Sequence, residues 1–177
     1  MKLSQTSTRH LTITAGIIVL IVALSSCGGS QDKREYSVPN SLCGTPVDAK
    51  ALSPFLPPGG GLTTKASQTA QGATKCGVAV DGKLIVTTSQ EWWNNMSIID
   101  FAKGMTLENS SQQTDDGRFA YSGHQAFGKA DNCNSSKHEN QTLFTAIQAT
   151  GSKHRDANAM KRLIMEYTHA ATKMQCG

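Results

Sequence analysis

Five cysteines and a tryptophan pair carry most of the chemistry open to this sequence of 177 residues. Four of the cysteines, Cys43, Cys76, Cys133 and Cys176, are separated by 33, 57 and 43 residues. Cysteine metal sites bring ligands in close Cys-x-x-Cys pairs, and no such pair occurs. An even set in an exported chain reads instead as two disulfides. Three pairings are open. Cys43–Cys76 with Cys133–Cys176 is favoured, because each bond then brackets one half of the domain. Each closes a loop of a few dozen residues, worth about 4 kcal/mol on the chain-entropy model.

Trp92-Trp93 is the second feature. Read as part of a helix, the two indoles point about 100° apart, so one can be buried and the other partly exposed. An exposed indole can stack on a sugar ring or hold a partner. The plainer reading has both covering a sheet edge as core and boundary residues.

The remaining reactive types lack supporting spacing. His124, His138, His154 and His169 form no His-x-x-x-His or His-Glu-x-x-His pattern, so no metal site is expected. Ser122-Gly123-His124 is not a nucleophile elbow. A cysteine–histidine enzyme needs a free thiol, and two disulfides with a modified Cys27 leave none. Asp115-Asp116 lacks the spaced oxygens of a calcium loop. Gly59-Gly60-Gly61 has no following Gly-Lys-Ser/Thr to cradle phosphate. Lys153-His154-Arg155 is a basic cluster that could touch anionic lipid or wall polymer, against the plainer reading of a solvated turn. No catalytic residue and no cofactor are expected.

The fifth cysteine belongs to the N-terminus. Lys2 and Arg9 precede an apolar run of 14 residues at 11–24. This is short for a membrane span, which wants about 20 residues. It fits the core of a secretory signal. Leu24-Ser25-Ser26-Cys27 follows directly and resembles the lipobox of bacterial lipoproteins. That resemblance implies a diacylglycerol on the Cys27 thiol, cleavage after residue 26, and palmitate-type acylation that together hold the chain on the membrane. A retained signal anchor, or an ordinary signal peptide that leaves Cys27 a free thiol, are the alternatives. Residues 27–36 are small and polar and read as a flexible tether. Residues 37–177 remain as a single extracytoplasmic domain.

The mature chain has 151 residues, enough for one proper core. Its charges are nearly balanced, at 15 basic against 13 acidic. With no basic cluster interleaved with aromatics, nucleic acid is not an expected partner. The Asn-x-Ser/Thr triplets at Asn95, Asn109, Asn134 and Asn140 read as polar loops in a bacterial protein.

The elements that must position these residues follow from pattern. Thr45-Pro46 with Asp48 predicts a helix start, closed by Pro57-Pro58 and the glycines after it. Residues 62–74 read as a loop. Residues 76–80 and 83–88 flank Asp81-Gly82, a strong hairpin signal. Glu91, Trp92, Met96, Ile99 and Lys103 suggest a helix ended by Gly104. Residues 108–117 read as a polar connection, 118–129 as one bent strand or two short ones, and 131–140 as another loop. Residues 143–150 suit a strand buried on both faces. Asp156 caps a final helix with Met160, Leu163, Ile164, Tyr167, Ala170, Ala171 and Met174 on one stripe. The expected fold is α+β, a largely antiparallel β-sheet with helices packed on it.

Read in order, several pieces resemble secreted lipoproteins of streptomycetes and related actinobacteria. These are Tyr36-Ser-Val-Pro-Asn-Ser-Leu-Cys43-Gly, Leu56-Pro-Pro-Gly, Cys76-Gly-Val-Ala-Val-Asp-Gly, Trp92-Trp93, and Ala159-Met-Lys-Arg-Leu-Ile-Met-Glu-Tyr-Thr before Cys176. Such families are largely of unknown function. The resemblance implies a surface lipoprotein of a Gram-positive cell, facing outward on the plasma membrane, and it supports the disulfides. It implies no catalytic residue. The expected role is a binding module for a small ligand, a wall polymer or a membrane protein. A cell-envelope hydrolase, or an accessory subunit of a transporter or sensor, is the alternative.

Overall fold

The structure is a computed structural model, and it describes residues 33–69, 72–106 and 112–176. The signal segment, Cys27 and most of the expected tether lie outside the described residues, as does Asn109.

Chain order gives β1 (Ser41–Leu42), β2 (Thr45–Pro46), α1 (Ala49–Leu52), a 3-10 turn at Ser53–Phe55, β3 (Leu62–Gln68), β4 (Thr74–Val80) and β5 (Lys83–Asn94). There follow α2 (Ile98–Met105), β6 (Gln112–Gln113), β7 (Phe119–Tyr121), β8 (Gln125–Lys129), β9 (Gln141–Gln148) and α3 (Ala157–Gln175). Seven strands form one antiparallel sheet in the order β3-β4-β5-β9-β8-β7-β6. Two meanders therefore meet at the β5–β9 seam, and the α2 segment connects them. The fold is α+β, with disulfides Cys43–Cys76 and Cys133–Cys176.

Alternation along the strands assigns the two faces. Ala126 and Ile147 join a core with Met160, Leu163, Ile164 and Tyr167 of α3. Their chain neighbours Phe127 and Ala146 join Ile98, Phe101 and Ala102 of α2. The helices therefore cover opposite faces. Phe101 lies 4.6 Å from Phe144 and 6.1 Å from Phe127, ring centre to ring centre. The expected central strand is β9, whose residues Leu143 to Ile147 are all buried.

Close approach of α3 depends on Gly128. A Cβ there would fall inside contact distance of the hydroxyls of Thr168 and Thr145, which bond each other at 2.7 Å. A second buried network ties α3 to the sheet and to β2. Gln90 Nε2 donates to Thr45 Oγ1 at 2.7 Å and to Tyr167 Oη at 3.1 Å, and Tyr167 Oη donates to Thr88 Oγ1 at 2.9 Å. The Asp81-Gly82 hairpin forms as expected, with φ of 49° and 77°.

Several expectations are corrected. Thr45-Pro46 is a strand rather than a helix start; α1 is capped by Asp48, whose side chain accepts from Lys50 N. Residues 62–68 are edge strand β3 rather than loop, paired along β4 although almost wholly exposed. Trp92 and Trp93 lie on β5, not on a helix. The helix begins at Ile98, where Ser97 accepts from Asp100 N at 3.1 Å, and it runs through Gly104 to Met105. Gln112–Gln113 adds a short strand inside the expected polar connection. Of the two readings open for residues 118–129, the structure shows the two short strands β7 and β8. The expected tether also gives up its last residues to the domain. Arg34 Nη1 donates to Ser53 Oγ at 2.7 Å, its Nη2 to the carbonyls of Ser53 and Leu56, and Tyr36 Oη to the Pro57 carbonyl.

Candidate functional site

On a strand, neighbouring residues face opposite sides of the sheet. Trp92 points to the α3 face. Its ring stacks on His138 at 4.3 Å and 4°, and it packs with Leu143, Ala171 and the Cys133–Cys176 disulfide. Trp92 is therefore part of the frame, and His138 is bound up with it. The His138 ring also pairs with Gln141 Oε1 at 3.0 Å.

Trp93 points to the other face and is 44% exposed. Its Nε1 donates to Glu91 Oε2 at 3.0 Å. The two side chains are separated by one residue and share a face, so the bond lays the indole edge along the strand. Glu91 is only 6% exposed. Charged residues this buried normally find full partnership. Its Oε2 takes the Trp93 bond; its Oε1 has no protein partner among the described residues and is not one of the atoms shut off from solvent, so it stays open to water or a ligand. Two residues earlier on the same face, Ser89 Oγ is buried and also without a partner.

Glu91 and Trp93 line one cavity. Among the described residues helix α2 makes its main sheet contacts with β7 and β8, and it leaves much of the β3-β4-β5 half of its face open. There, reaching the end of β5, a cavity of about 550 Å³ is lined by Glu91, Trp93, Lys75 and Met105, and by Trp92, Asn94 and Gln141 where it meets the strand end. Lys75 stands opposite Ser89 in the β4–β5 register, which makes it the diagonal neighbour of Glu91. Neither Lys75 nor Glu91 belongs to an ion pair among the described residues. The volume is in the range of small-molecule sites.

The other sequence candidates are not gathered there. Asp116 accepts from Thr114 Oγ1, Arg118 N and Arg118 Nε, and so builds the turn before β7. Its carboxyl is held below the ordinary value, first by the Thr114 hydroxyl and then by the Arg118 backbone N–H. Ser122-Gly123-His124 forms the turn after β7, at the opposite end of that strand; the His124 carbonyl accepts from Ala149 N at 2.7 Å. The acids and the Ser-His pair thus do not meet. His154 packs edge-on against Phe55 at 5.2 Å, and Arg155 Nη1 bonds the carbonyls of Ser152 and His154. His169 is exposed on α3. No group of three metal-ligating side chains occurs among the described residues.

Glu91 and Lys75 were not singled out by sequence. Both sit in β-favouring or polar runs with no motif around them, and only strand pairing makes them neighbours. Comparisons with protein-family models, with curated proteins and with solved structures give no match, so the site is read from its own geometry.

Proposed function

We propose that this protein is a lipid-anchored binding module at the outer face of the plasma membrane, and that it binds through the open face around Glu91 and Trp93. The observation that carries the binding role is a buried carboxyl with an unused acceptor beside a half-exposed, hydrogen-bonded indole.

The location rests on different residues. Leu24-Ser25-Ser26-Cys27 behind an apolar run supplies the lipid handle. Two disulfides fit an oxidising compartment. Among the described residues no helix is long and apolar enough to cross a membrane. Arg34 pins the chain at the start of the domain, so any leash is confined to the residues between Cys27 and Arg34.

A fragment screen read by NMR tests the binding role. Bound fragments should shift the Trp93 indole N–H signal and leave that of Trp92 in place. Hits scattered over other surfaces, with the Trp93 signal unmoved, would contradict it.

A further inference from the structure

We infer that the cavity around Trp93 takes a neutral glycan ring, stacked on the indole and donating a hydroxyl to Glu91 Oε1; this rests on the open face being the binding surface. The argument is one of chemical matching. An indole presents a flat apolar face, and the Nε1 bond to Glu91 fixes the plane of that face before any ligand arrives. Glu91 presents an acceptor that no protein group uses. A carboxylate offers about four lone-pair sites, and hydroxyl donors to it form strong, charge-assisted bonds. A ligand with an apolar flat face and a rim of hydroxyls satisfies both at once.

Charge selects among the candidates. Trp93 and Glu91 alone would also suit an organic cation. The same floor carries Lys75, diagonal to Glu91. Its positive charge opposes a cation, and the Glu91 carboxyl opposes a phosphate or carboxylate. One acid and one base leave the floor neutral. The rest of the polar lining is uncharged, namely Asn94, Gln141 and Thr69. A ring that is neutral and rich in hydroxyls is the occupant with no charge conflict. The pre-set indole also lowers the ordering cost of stacking.

Such a ring could reach the site from a soluble oligosaccharide or from an insoluble wall glycan, and the test separates them. The full chain in detergent micelles is titrated with cellotetraose, chitotetraose and tetramethylammonium chloride, read by tryptophan fluorescence. It is also co-sedimented with purified insoluble wall glycan. The expected result is binding of at least one neutral glycan probe. Trp93→Ala and Glu91→Gln should each weaken it by about tenfold or more. Response to soluble tetramers marks a free oligosaccharide; sedimentation alone marks the wall polymer. Binding of tetramethylammonium alone, lost in Trp93→Ala, overturns the glycan and leaves the open face as the binding surface. No response to any probe overturns the glycan as well, and the fragment screen then decides the face separately. Glycan binding that survives both substitutions overturns the glycan site and the face together.

Discussion

Trp93 Nε1 donates to Glu91 Oε2 at 3.0 Å, while Trp92, between them, stacks on His138 on the other side of the sheet. One dipeptide thus divides its labour by strand alternation alone. The division can be measured. Trp92→Ala removes a ring packed against Leu143, Ala171 and a disulfide, and should cost about 2–4 kcal/mol. Trp93→Ala should cost under about 1 kcal/mol. Urea unfolding of the two variants checks this; equal losses would place both rings in the core.

The Thr45–Gln90–Tyr167–Thr88 network is buried at every member. Tyr167→Phe keeps the ring and deletes the hydroxyl that Gln90 and Thr88 both use. It should destabilise by about 1–2 kcal/mol. Adding Gln90→Ala should cost less than the sum of the single changes, because the two share a bond. A double-mutant cycle by urea unfolding reads the coupling.

Gly128 permits α3 to rest on β8. Gly128→Ala drives a methyl into the bonded hydroxyls of Thr145 and Thr168. A loss of about 1–3 kcal/mol is expected. Thr168→Ala should recover part of it by making room. Thermal unfolding of single and double variants checks the sign of the coupling, and an additive double variant would contradict the clash.

The two disulfides close loops of 33 and 43 residues. Replacing both cysteines of either pair by alanine should cost about 4 kcal/mol. Unfolding midpoints of oxidised wild type and of each double variant test this. The Cys133–Cys176 variant should also loosen the Trp92–His138 stack, visible as a change in tryptophan emission, because that disulfide packs against Trp92.

Asp116 and Asp156 both have carboxyls held below the ordinary value, Asp116 chiefly by the Thr114 hydroxyl and Asp156 chiefly by the backbone N–H of Ala159. A lowered carboxyl binds protons less readily in the folded chain than in the unfolded one. Its contribution is therefore present above about pH 4 and lost as pH falls below it. Asp116→Asn should lower stability on the neutral side of about pH 4 and leave it nearly unmoved at low pH, which flattens the acid limb of a stability–pH curve. A loss of equal size at acid and neutral pH would contradict the assignment.

What could be read in advance follows physical lines. The stripe from Met160 to Ala171 announces α3, although its expected last member Met174 is exposed, and Asp-Gly announces the β4–β5 hairpin, because both signals are local. β3 was hidden because its side chains are polar and exposed; only pairing with β4 makes Thr63-Thr64-Lys65 a strand. Trp92, Met96, Ile99 and Lys103 mimic a helical period, so the sequence alone reads the Trp pair as helical. The true cap, Ser97 with Asp100, lies six residues after Glu91. The indoles were legible as a pair, one inside and one outside, but through the wrong element. Glu91 and Lys75 were not legible at all, since a site made by cross-strand neighbours leaves no spacing in the chain.

Mass spectrometry of the membrane fraction tests the account most directly. It should find an N-terminal peptide that begins at Cys27 and carries a diacylglycerol, together with peptide pairs joined through Cys43–Cys76 and Cys133–Cys176. An intact peptide spanning residues 1–27, with an unmodified Cys27 and four free thiols, would contradict it.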